Sequence, residues 1–281
     1  MREITVFTHR HTAQTAAALE LLVARAAQAG VTLRLDAEET AKLGLSAAPG
    51  LLLDAPTKDD VELCIVLGGD GTILRALQYY AGTGVPVFAI NFGEIGFLAT
   101  AEPQDVDDGI TRALSGDFEL LRLPAIALEL ADGRQVAIND VAIHRKVGER
   151  VAELAYALDG EEAGSVRCDG LVVATPAGST GYNLANGGPV MAWGVEGFVV
   201  SFIAPHSMSA RALVVAPDDK LTIYNRSLDS LDVAVDGRPV AEIPAGGMIA
   251  ARFVNDIGML AQLPGSSFYR RLREKFGRLA S

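Results

Sequence analysis

Apolar positions along the first 118 residues follow two alternating patterns. Short, continuously apolar runs are typical of strands covered on both faces, and longer segments with an apolar residue every three or four positions are typical of helices. Thr12 is the predicted N-cap of the first helix, and Gly30 is its predicted end. Alternation of strand and helix predicts an α/β domain with a parallel sheet. The predicted strands are 4–8, 31–36, 63–67 and 85–91, and the predicted helices are 12–30, 72–82 and 102–117.

The pattern changes after residue 118, where strand-like segments follow one another without helices between them. Asp132-Gly133 and Asp159-Gly160 each separate two strand-like runs, which is a strong hairpin signal. We therefore predict an all-β domain of sandwich type over residues 119–263. Its further predicted strands lie at 197–204, 212–216, 220–225, 231–237, 248–254 and 258–263.

The last segment, residues 266–281, has helical spacing. Phe268, Leu272 and Phe276 lie at i, i+4 and i+8 and form an apolar stripe that could dock on the first domain. The predicted fold is an N-terminal parallel-sheet α/β domain followed by an all-β sandwich, with the C-terminal helix returning to the first domain. The predicted boundaries are 1–118 plus 264–281 for the α/β domain and 119–263 for the sandwich.

Composition and charge narrow the class of protein. The net charge of −11 over 281 residues argues against a general binder of nucleic acid or of anionic membranes. No apolar run approaches the length that spans a bilayer, and the N-terminus shows no basic-then-apolar leader, so we expect no signal peptide. Cys64 and Cys168 lack metal-ligand spacing and predict no disulfide framework. A reducing compartment, the cytoplasm, is the expected location.

The stretch Gly68-Gly69-Asp70-Gly71-Thr72 follows a buried strand and opens a helix, so it lies at the carboxyl end of the predicted sheet, where ligands of open α/β sheets bind. Backbone amides of Gly68, Gly69, Gly71 and Thr72 are suited to phosphate, and Thr72 is the predicted helix cap. Asp70 would repel phosphate, so we predict that it accepts the proton of a hydroxyl nucleophile in phosphoryl transfer. An ordinary Asx turn, or help in holding Mg²⁺, are the alternatives.

Two further segments are candidates for nucleotide binding. Residues 167–190 form a long stretch rich in Gly, Ser, Thr and Asn, in which Tyr182 offers a ring for stacking on a base. Asn139 and Asp140 interrupt a strand-like run, where an amide and a carboxylate could contact an adenine edge and ribose hydroxyls. An edge strand or a bulge would explain this pair equally well. None of the four histidines has the spacing of a catalytic or metal site, although His9 and His11 follow the first strand at its carboxyl end.

Taken together, these motifs resemble the NAD kinase family. The resemblance rests on "GGDGT", on "IND" at 138–140, and on the segments 91–100, 169–190 and 204–215, in the expected order. It implies the two-domain fold above and phosphorylation of the adenosine 2′-hydroxyl of NAD. It also implies Mg²⁺ or another divalent cation, ATP or polyphosphate as phosphoryl donor, and a homo-oligomer, a homodimer or homotetramer. The implied partners are the small molecules NAD and ATP, with no nucleic acid and no membrane.

The resemblance also implies roles for single residues. Asp70 corresponds to the general base, and the metal ligands stay undetermined. Three positions depart from the usual family pattern: Gly181, Phe92 and Glu94. Arg238 also stands where many bacterial members have Gln, so its role in binding is open. The residues that match NAD-binding positions are Asp70, Gly71, Arg75, Asn139, Asp140, Arg150, Arg167, Asp169, Ala177, Thr180, Gly181, Tyr182, Asn183, Leu184 and Ala185.

Two other functions compete with this hypothesis. A kinase for a lipid or a sugar phosphate could use the same glycine-rich turn, and a non-catalytic NAD sensor could use the same binding segment. The segment 167–190 disfavours the first, and the presence of Asp70 among its three glycines disfavours the second. For Arg75, Arg150 and Arg167, a surface ion pair is the alternative to anion binding.

Overall fold

The computed structural model describes residues 2–94, 96–130 and 133–277. The chain divides into two compact units, Met1–Arg122 with Gly258–Ser281 and Leu123–Ile257. The domain boundaries given above, at 118/119 and 263/264, stay predictions. The strands are β1 Arg2–Thr8, β2 Val31–Arg34, β3 Leu51–Leu52, β4 Leu63–Gly68, β5 Val87–Asn91, β6 Glu119–Leu130, β7 Gly133–Ala137, β8 Asp140–Arg145, β9 Ala152–Leu158, β10 Glu161–Cys168, β11 Gly170–Ala174, β12 Phe198–Ile203, β13 Leu213–Val215, β14 Leu221–Asn225, β15 Leu231–Val235, β16 Arg238–Ile243 and β17 Met248–Gln262. The helices are α1 Ala16–Gln28, α2 Ala37–Leu43, α3 Asp70–Tyr79, α4 Val106–Ser115, α5 Tyr182–Ala185 and α6 Phe268–Phe276, with short 3₁₀ turns at Thr12–Gln14, Pro103–Asp105 and Gly178–Thr180.

The first unit has a parallel sheet in which the strand order is β5-β4-β1-β2-β3, and Leu260 of β17 pairs with Val87 of β5. Strands β4 and β5 are buried along their whole length, as their continuous apolar character predicts. The core contains Leu19, Leu22 and Ile110, which lie on the helices, and Ile65 on β4. The predicted parallel α/β domain is confirmed.

The order of the strands places a topological switch point between β1 and β4. From β1 the chain moves outward to β2 and β3, and it then returns to the other side of β1 to form β4 and β5. Ligands of open α/β sheets bind outside the carboxyl ends of the strands at such a point. Thr8 ends β1 and Gly68 ends β4, and the His9 amide donates to the Leu67 carbonyl oxygen (2.8 Å), which ties the two strand ends together.

The sequence-based prediction for the start of α1 is wrong, and one helix was not predicted. Thr12 is not the N-cap of α1, because residues 12–14 form a separate 3₁₀ turn and α1 begins at Ala16. Helix α2 was also missed, although its signals are present in the sequence. Asp36 caps it by accepting from the Glu39 amide (2.8 Å), and Gly44 ends it at φ 60°.

The second unit is a β-sandwich, as predicted. One sheet has the order β13-β12-β11-β8-β15-β16, and the strands β10, β9, β14 and β17 follow one another in the other sheet. A buried core contains inward-facing residues of both sheets, including Ile143, Val173 and Val233 from the first and Leu154 and Ile223 from the second. The alternating burial of β14 and β15 is typical of sandwich strands with one covered face.

Hairpins connect several of the sandwich strands. Asp159 and Gly160 join β9 to β10 with φ values of 49° and 85°, which is the two-residue turn that Asp-Gly predicts. Asp236 and Gly237 join β15 to β16 in the same way, with φ values of 46° and 77°. Leu130 pairs with Gly133 across the predicted Asp132-Gly133 hairpin, but Asp132 itself lies outside the described residues.

The C-terminal helix α6 belongs to the first unit, as its apolar stripe predicts. Phe268 and Phe276 contact the ring of Phe97, with centroids 5.8 Å and 5.6 Å apart. Aromatic pairs at these distances add to the area that the rings bury. Among the helices that the structure describes, none combines the length and apolar character needed to cross a membrane.

Candidate active site

The glycine-rich turn lies between β4 and α3 at the switch point. Helix α3 begins at Asp70, two residues before the predicted start, because the amides of Thr72 and Ile73 both donate to the Gly69 carbonyl oxygen. The prediction that Thr72 caps the helix is therefore wrong: Gly69 is the N-cap residue, and no side chain caps it. Residues 68 and 69 must be small, since a Cβ on Gly68 would lie 2.8 Å from the Thr72 hydroxyl oxygen and one on Gly69 would lie 3.0 Å from the Gly93 Cα. Gly71, by contrast, has nothing within 4 Å of its Cβ position, so a ligand can approach its backbone.

The carboxylate of Asp70 is held by backbone amides. Its Oδ2 accepts from the Phe97 amide (3.0 Å) and its Oδ1 accepts from the Leu98 amide (2.9 Å). These donors belong to the Gly-Phe-Leu loop that follows β5. Gly96 in this loop has φ 65°, and a Cβ there would collide with the side-chain amide of Asn91. The glycine therefore lets the loop turn so that its next two amides face Asp70.

An open cavity of about 830 Å³ lies at the same edge of the first unit. It lies beside the glycine-rich turn, because Gly93 contributes to it and approaches Gly69 closely. Burial lowers the pKa of His9, and the nearby basic groups of His11, Arg10 and Lys42 lower it further. The two histidines were noted from the sequence but Arg10 was not, although it lies only two residues after the end of β1. The residues that line the cavity are His9, Arg10, His11, Gln14, Phe92, Gly93, Glu94 and Pro103.

Arg75, a predicted NAD contact, is engaged inside the first unit. Its guanidinium pairs with Glu38 (2.9 Å) and Glu39 (2.5 Å) and lies 4.7 Å from the centre of the Phe7 ring. Glu39 is fully buried and also accepts from the amide and hydroxyl of Thr8. Because the guanidinium pairs with two carboxylates, this arrangement fits the ion-pair alternative given above for Arg75. Both partners come from helix α2, which was not predicted.

In the second unit, Asn139 and Asp140 lie where β8 begins, and Asp236 organises their backbone. The carboxylate of Asp236 accepts from the amides of Ile138 (2.9 Å), Asn139 (2.7 Å) and Asp140 (3.0 Å). Sequence analysis missed Asp236, although an Asp-Gly hairpin turn was visible in "VDGR". Its fixed negative charge lies beside Asp140.

Asp140 is buried, with 8% of its surface exposed. Burial and the nearby charge of Asp236 raise the pKa of Asp140 to about 7. Among the described residues, none donates a hydrogen bond to its carboxylate oxygens. A buried carboxyl group in this state gains from any ligand that donates hydrogen bonds to it.

The predicted nucleotide-binding segment folds next to this pair. Thr175 donates from its amide to the Asn139 carbonyl oxygen (2.9 Å) and from its hydroxyl to that of Ile138 (2.6 Å). A Cβ on Gly178 would collide with the Asn139 carbonyl oxygen, and one on Gly181 would lie 4.0 Å from the Asp140 carboxylate. The 3₁₀ turn Gly178–Thr180 and α5 therefore lie against the Asn139-Asp140 pair, which brings the two predicted segments together.

The Tyr182 ring is 37% exposed and stacks on His144, with centroids 5.6 Å apart and planes at 22°. Burial and the charges of Asp140 and Asp169 raise the pKa of its hydroxyl, so Tyr182 lies near both carboxylates. The ring that could stack on a base thus already has a partner on one face. His144 was assigned no catalytic role from the sequence, and here it supports the ring.

The remaining predicted residues differ in how accessible they are. Asn183 is fully buried and donates to the carbonyl oxygens of Ser179 and Pro189 (both 2.9 Å), so it holds the segment in shape. Asp169 pairs with Arg145 (2.6 Å), which lowers the pKa of its carboxyl group. Arg150 and Arg167 are exposed and, within the described ranges, form no ion pair. Ala177 is buried, Thr180 and Leu184 are half-buried, and Ala185 is exposed.

Both units of the chain match domains of known proteins. The ATP-NAD kinase N-terminal domain matches residues 5–118, and the ATP-NAD kinase C-terminal domain matches residues 138–253. NAD kinase 2 of Streptomyces avermitilis is 34% identical over 285 residues, which cover 98% of this chain and 95% of that protein.

Two solved structures have the same fold. The yeast NADH kinase complexed with NADH has a TM-score of 0.86 at 22% identity, covering 100% of this chain and 89% of that one. An NAD kinase from Archaeoglobus fulgidus in complex with ATP has a TM-score of 0.73 at 27% identity, covering 98% of each chain. With both of its domains matched and a relative aligned along nearly its whole length, the chain belongs to the NAD kinase family and is a phosphotransferase enzyme that acts on NAD.

Proposed function

We propose that this enzyme transfers the γ-phosphoryl group of ATP to the adenosine 2′-hydroxyl of NAD, with Asp70 as the general base. The observation that supports this most strongly is the carboxylate of Asp70, which two backbone amides hold at the N-terminus of α3. A base of this kind must point at one hydroxyl, and fixed donors orient it without using a flexible partner.

The chemistry follows from that orientation. The hydroxyl of a ribose is a poor nucleophile at neutral pH, and a positioned base contributes about 10²–10⁴-fold to the rate. Asp70 accepts the proton as the oxygen attacks phosphorus, and the bond to the leaving diphosphate breaks. Its amide donors leave each carboxylate oxygen with a free lone pair for this proton. The remaining acceleration comes from holding donor and acceptor in line and from neutralising phosphate charge.

The cavity at the carboxyl ends of β1 and β4 is the proposed place of the donor phosphates. Arg10 is exposed and, among the described residues, has no carboxylate partner, so its charge is available to an anion. Gly71, in the glycine-rich turn, has an open backbone that a phosphate could approach. We favour ATP over polyphosphate because the archaeal relative has been solved with ATP, which fits the same fold.

A divalent cation fits this cavity if it arrives bound to the phosphates of the phosphoryl donor. No group of three or more His, Cys, Asp or Glu side chains able to hold a metal occurs in the part of the chain that the structure describes. Mg²⁺ in kinases is commonly held by one or two carboxylates together with substrate phosphates. Glu94 lines the cavity with an exposed carboxylate that has no ion pair among the described residues, so it would be the protein ligand. When bound, Mg²⁺ would neutralise charge on the phosphates.

The proposed NAD contacts in the second unit centre on Asp140 and Tyr182. Asp140 would accept from ribose or adenine donors, and Tyr182 would stack on a ring through its free face. Arg150 and Arg167 are exposed cations that could pair with the pyrophosphate. We retain the other predicted contacts, a homo-oligomeric state and a cytoplasmic location as proposals.

One assay tests the function. The purified protein is incubated with NAD, Mg²⁺ and, in parallel, ATP, other nucleoside triphosphates or polyphosphate. We expect NADP to form fastest with ATP, and phosphorus NMR of the product should place the new phosphate on the adenosine 2′-oxygen. A product phosphorylated elsewhere on NAD would overturn the assignment, and faster turnover with polyphosphate would overturn the choice of donor.

A further inference from the structure

The C-terminal helix contacts the loop that holds Asp70. The Gly-Phe-Leu loop, residues 96–98 of the chain, lies between Asp70 on one side and α6 on the other. Phe97 and Leu98 give their amides to the Asp70 carboxylate. The question is what keeps these amides in place, because a loop can rotate its peptide planes unless its carbonyl groups are also held.

Arg271 of α6 holds those carbonyl groups. Its Nη1 donates to the carbonyl oxygen of Phe97 (2.8 Å) and also to that of Ala99, and its Nη2 donates to the side-chain oxygen of Gln262 (2.8 Å). Burial lowers the pKa of Arg271, and the charges of Glu102, Asp70 and Glu274 offset only part of this effect. Arginine stays protonated in proteins, so these are charge-assisted hydrogen bonds, which are stronger than neutral ones.

One peptide unit connects the two charged groups directly. The carbonyl group of Phe97 and the amide of Leu98 belong to the same planar peptide, which accepts from Arg271 at one end and donates to Asp70 at the other. Hydrogen bonds in such a chain polarise and strengthen one another. The orientation of this peptide plane, and hence of the Asp70 carboxylate, therefore depends on the guanidinium of Arg271.

Other contacts place Arg271 against the loop. The rings of Phe268 and Phe276 pack on Phe97 from the same helix. Lys275 pairs with Glu102, whose other oxygen accepts from the Asn91 side chain (3.1 Å). The helix is thus anchored on both sides of Arg271, and the loss of the guanidinium alone should leave α6 docked.

We propose that Arg271 is a positioning residue for phosphoryl transfer, which fixes the peptide between Phe97 and Leu98 so that Asp70 points at the attacking hydroxyl. This inference rests on the proposed role of Asp70 as base. It assigns a function in catalysis to the C-terminal helix, whose aromatic rings also pack on Phe97.

Steady-state kinetics of Arg271→Met and Arg271→Lys test the proposal. Misplacing a catalytic group by about 1 Å can cost about 10²-fold in rate. We expect kcat to fall about 10- to 100-fold for Arg271→Met and less for Arg271→Lys, with KM for NAD changed by less than about 2-fold. Arg273→Met is the matched control, because Arg273 lies on the same helix with its side chain exposed, and it should keep normal turnover. Normal kcat in Arg271→Met would overturn the inference.

Two further measurements separate positioning from general damage. Amide hydrogen exchange should accelerate at Phe97 and Leu98 in Arg271→Met but not in Arg273→Met. In an Asp70→Asn background, Arg271→Met should lower kcat by less than about 2-fold further, since its effect passes through Asp70. An equal additional loss in that background would mean that Arg271 acts by another route, which overturns the inference. If Asp70→Asn itself kept normal turnover, the proposed function would fail instead.

Discussion

Each unit contains one aspartate with a clear candidate role, Asp70 in the first and Asp140 in the second. The surroundings of their carboxylates differ. Asp70 accepts two backbone hydrogen bonds at the carboxyl edge of a parallel sheet. Asp140 lies buried at the start of a sandwich strand, beside the charge of Asp236. The fold orients the carboxylate of Asp70 with two hydrogen bonds, whereas the carboxylate of Asp140 lacks a hydrogen-bond donor among the described residues.

This difference matches two different roles. A base must keep a fixed direction through the reaction, and the rigid amides of Phe97 and Leu98 provide this. A binding group that is poorly solvated gains most when a ligand arrives, because the ligand replaces the missing hydrogen bonds. We therefore propose that the first unit carries out catalysis and that the second recognises NAD, and the following experiments test each half.

The largest expected effect is that of Asp70→Asn. The amide side chain keeps the size of the carboxylate but cannot accept the proton, so kcat should fall by at least about 10²-fold. The dissociation constant for NAD should change little, since most of the proposed contacts lie on the second unit. Measurement of kcat and of NAD affinity by titration checks both parts. A variant with nearly normal turnover would remove Asp70 from the role of base.

Asp140 should make the stability of the protein depend on pH. Its pKa is raised from 3.8 to about 7 in the folded state, so the folded protein binds this proton more tightly than the unfolded chain. The stabilisation is fully present below about pH 4 and is lost as the pH rises through about 7, by about 2–4 kcal/mol.

The free energy of unfolding of the wild type relative to Asp140→Asn should therefore fall between pH 4 and pH 7. Urea unfolding at several pH values measures it. Asp218→Asn is the control, because this carboxylate is exposed in the same unit and should give a flat difference. A flat difference for Asp140→Asn as well would show that Asp140 is solvated in solution.

Asp140→Ala should act mainly on NAD binding. Loss of a charge-assisted hydrogen bond costs about 1.5 kcal/mol or more, so KM for NAD should rise by about 10-fold or more while kcat changes less. Initial rates over a range of NAD concentrations measure this, with Asp218→Ala as the control. An unchanged KM would mean that Asp140 serves the fold of the strand rather than the substrate.

Much of this comparison could be predicted from local sequence. Asp70 was found because glycines around an acid after a buried strand are a local signal, and the parallel sheet followed from apolar runs. Arg75 shows where such reasoning stops. The resemblance implies an NAD contact for Arg75, which stays a proposal, and the structure adds ion pairs with Glu38 and Glu39 from a helix distant in sequence, which no local pattern predicts.

Asp236 and Arg271 could not be predicted for a similar reason. Asp236 binds the amides of residues 138–140 across nearly a hundred positions, and Arg271 reaches carbonyl groups more than 170 positions away. Such contacts depend on how strands and helices pack, and no spacing along the chain encodes them. Thr72 failed as a cap because the backbone of Gly69 alone accepts the first amides of α3.

Arg10→Ala should produce the smallest change in kinetics. It tests whether the first unit binds the phosphoryl donor. If the donor phosphates lie in the cavity that Arg10 lines, removal of this cation should raise KM for ATP about 3- to 10-fold, because an exposed cation contributes modestly to anion binding. KM for NAD should change less, since most of its proposed contacts lie on the second unit. Arg273→Ala is the matched control, and the effect of Arg10→Ala should shrink as salt is added, because ions screen exposed charges. A rise in KM for NAD instead would place NAD, and not the phosphoryl donor, at the end of β1. The first unit would then take part in the recognition of NAD, against the proposed division of roles.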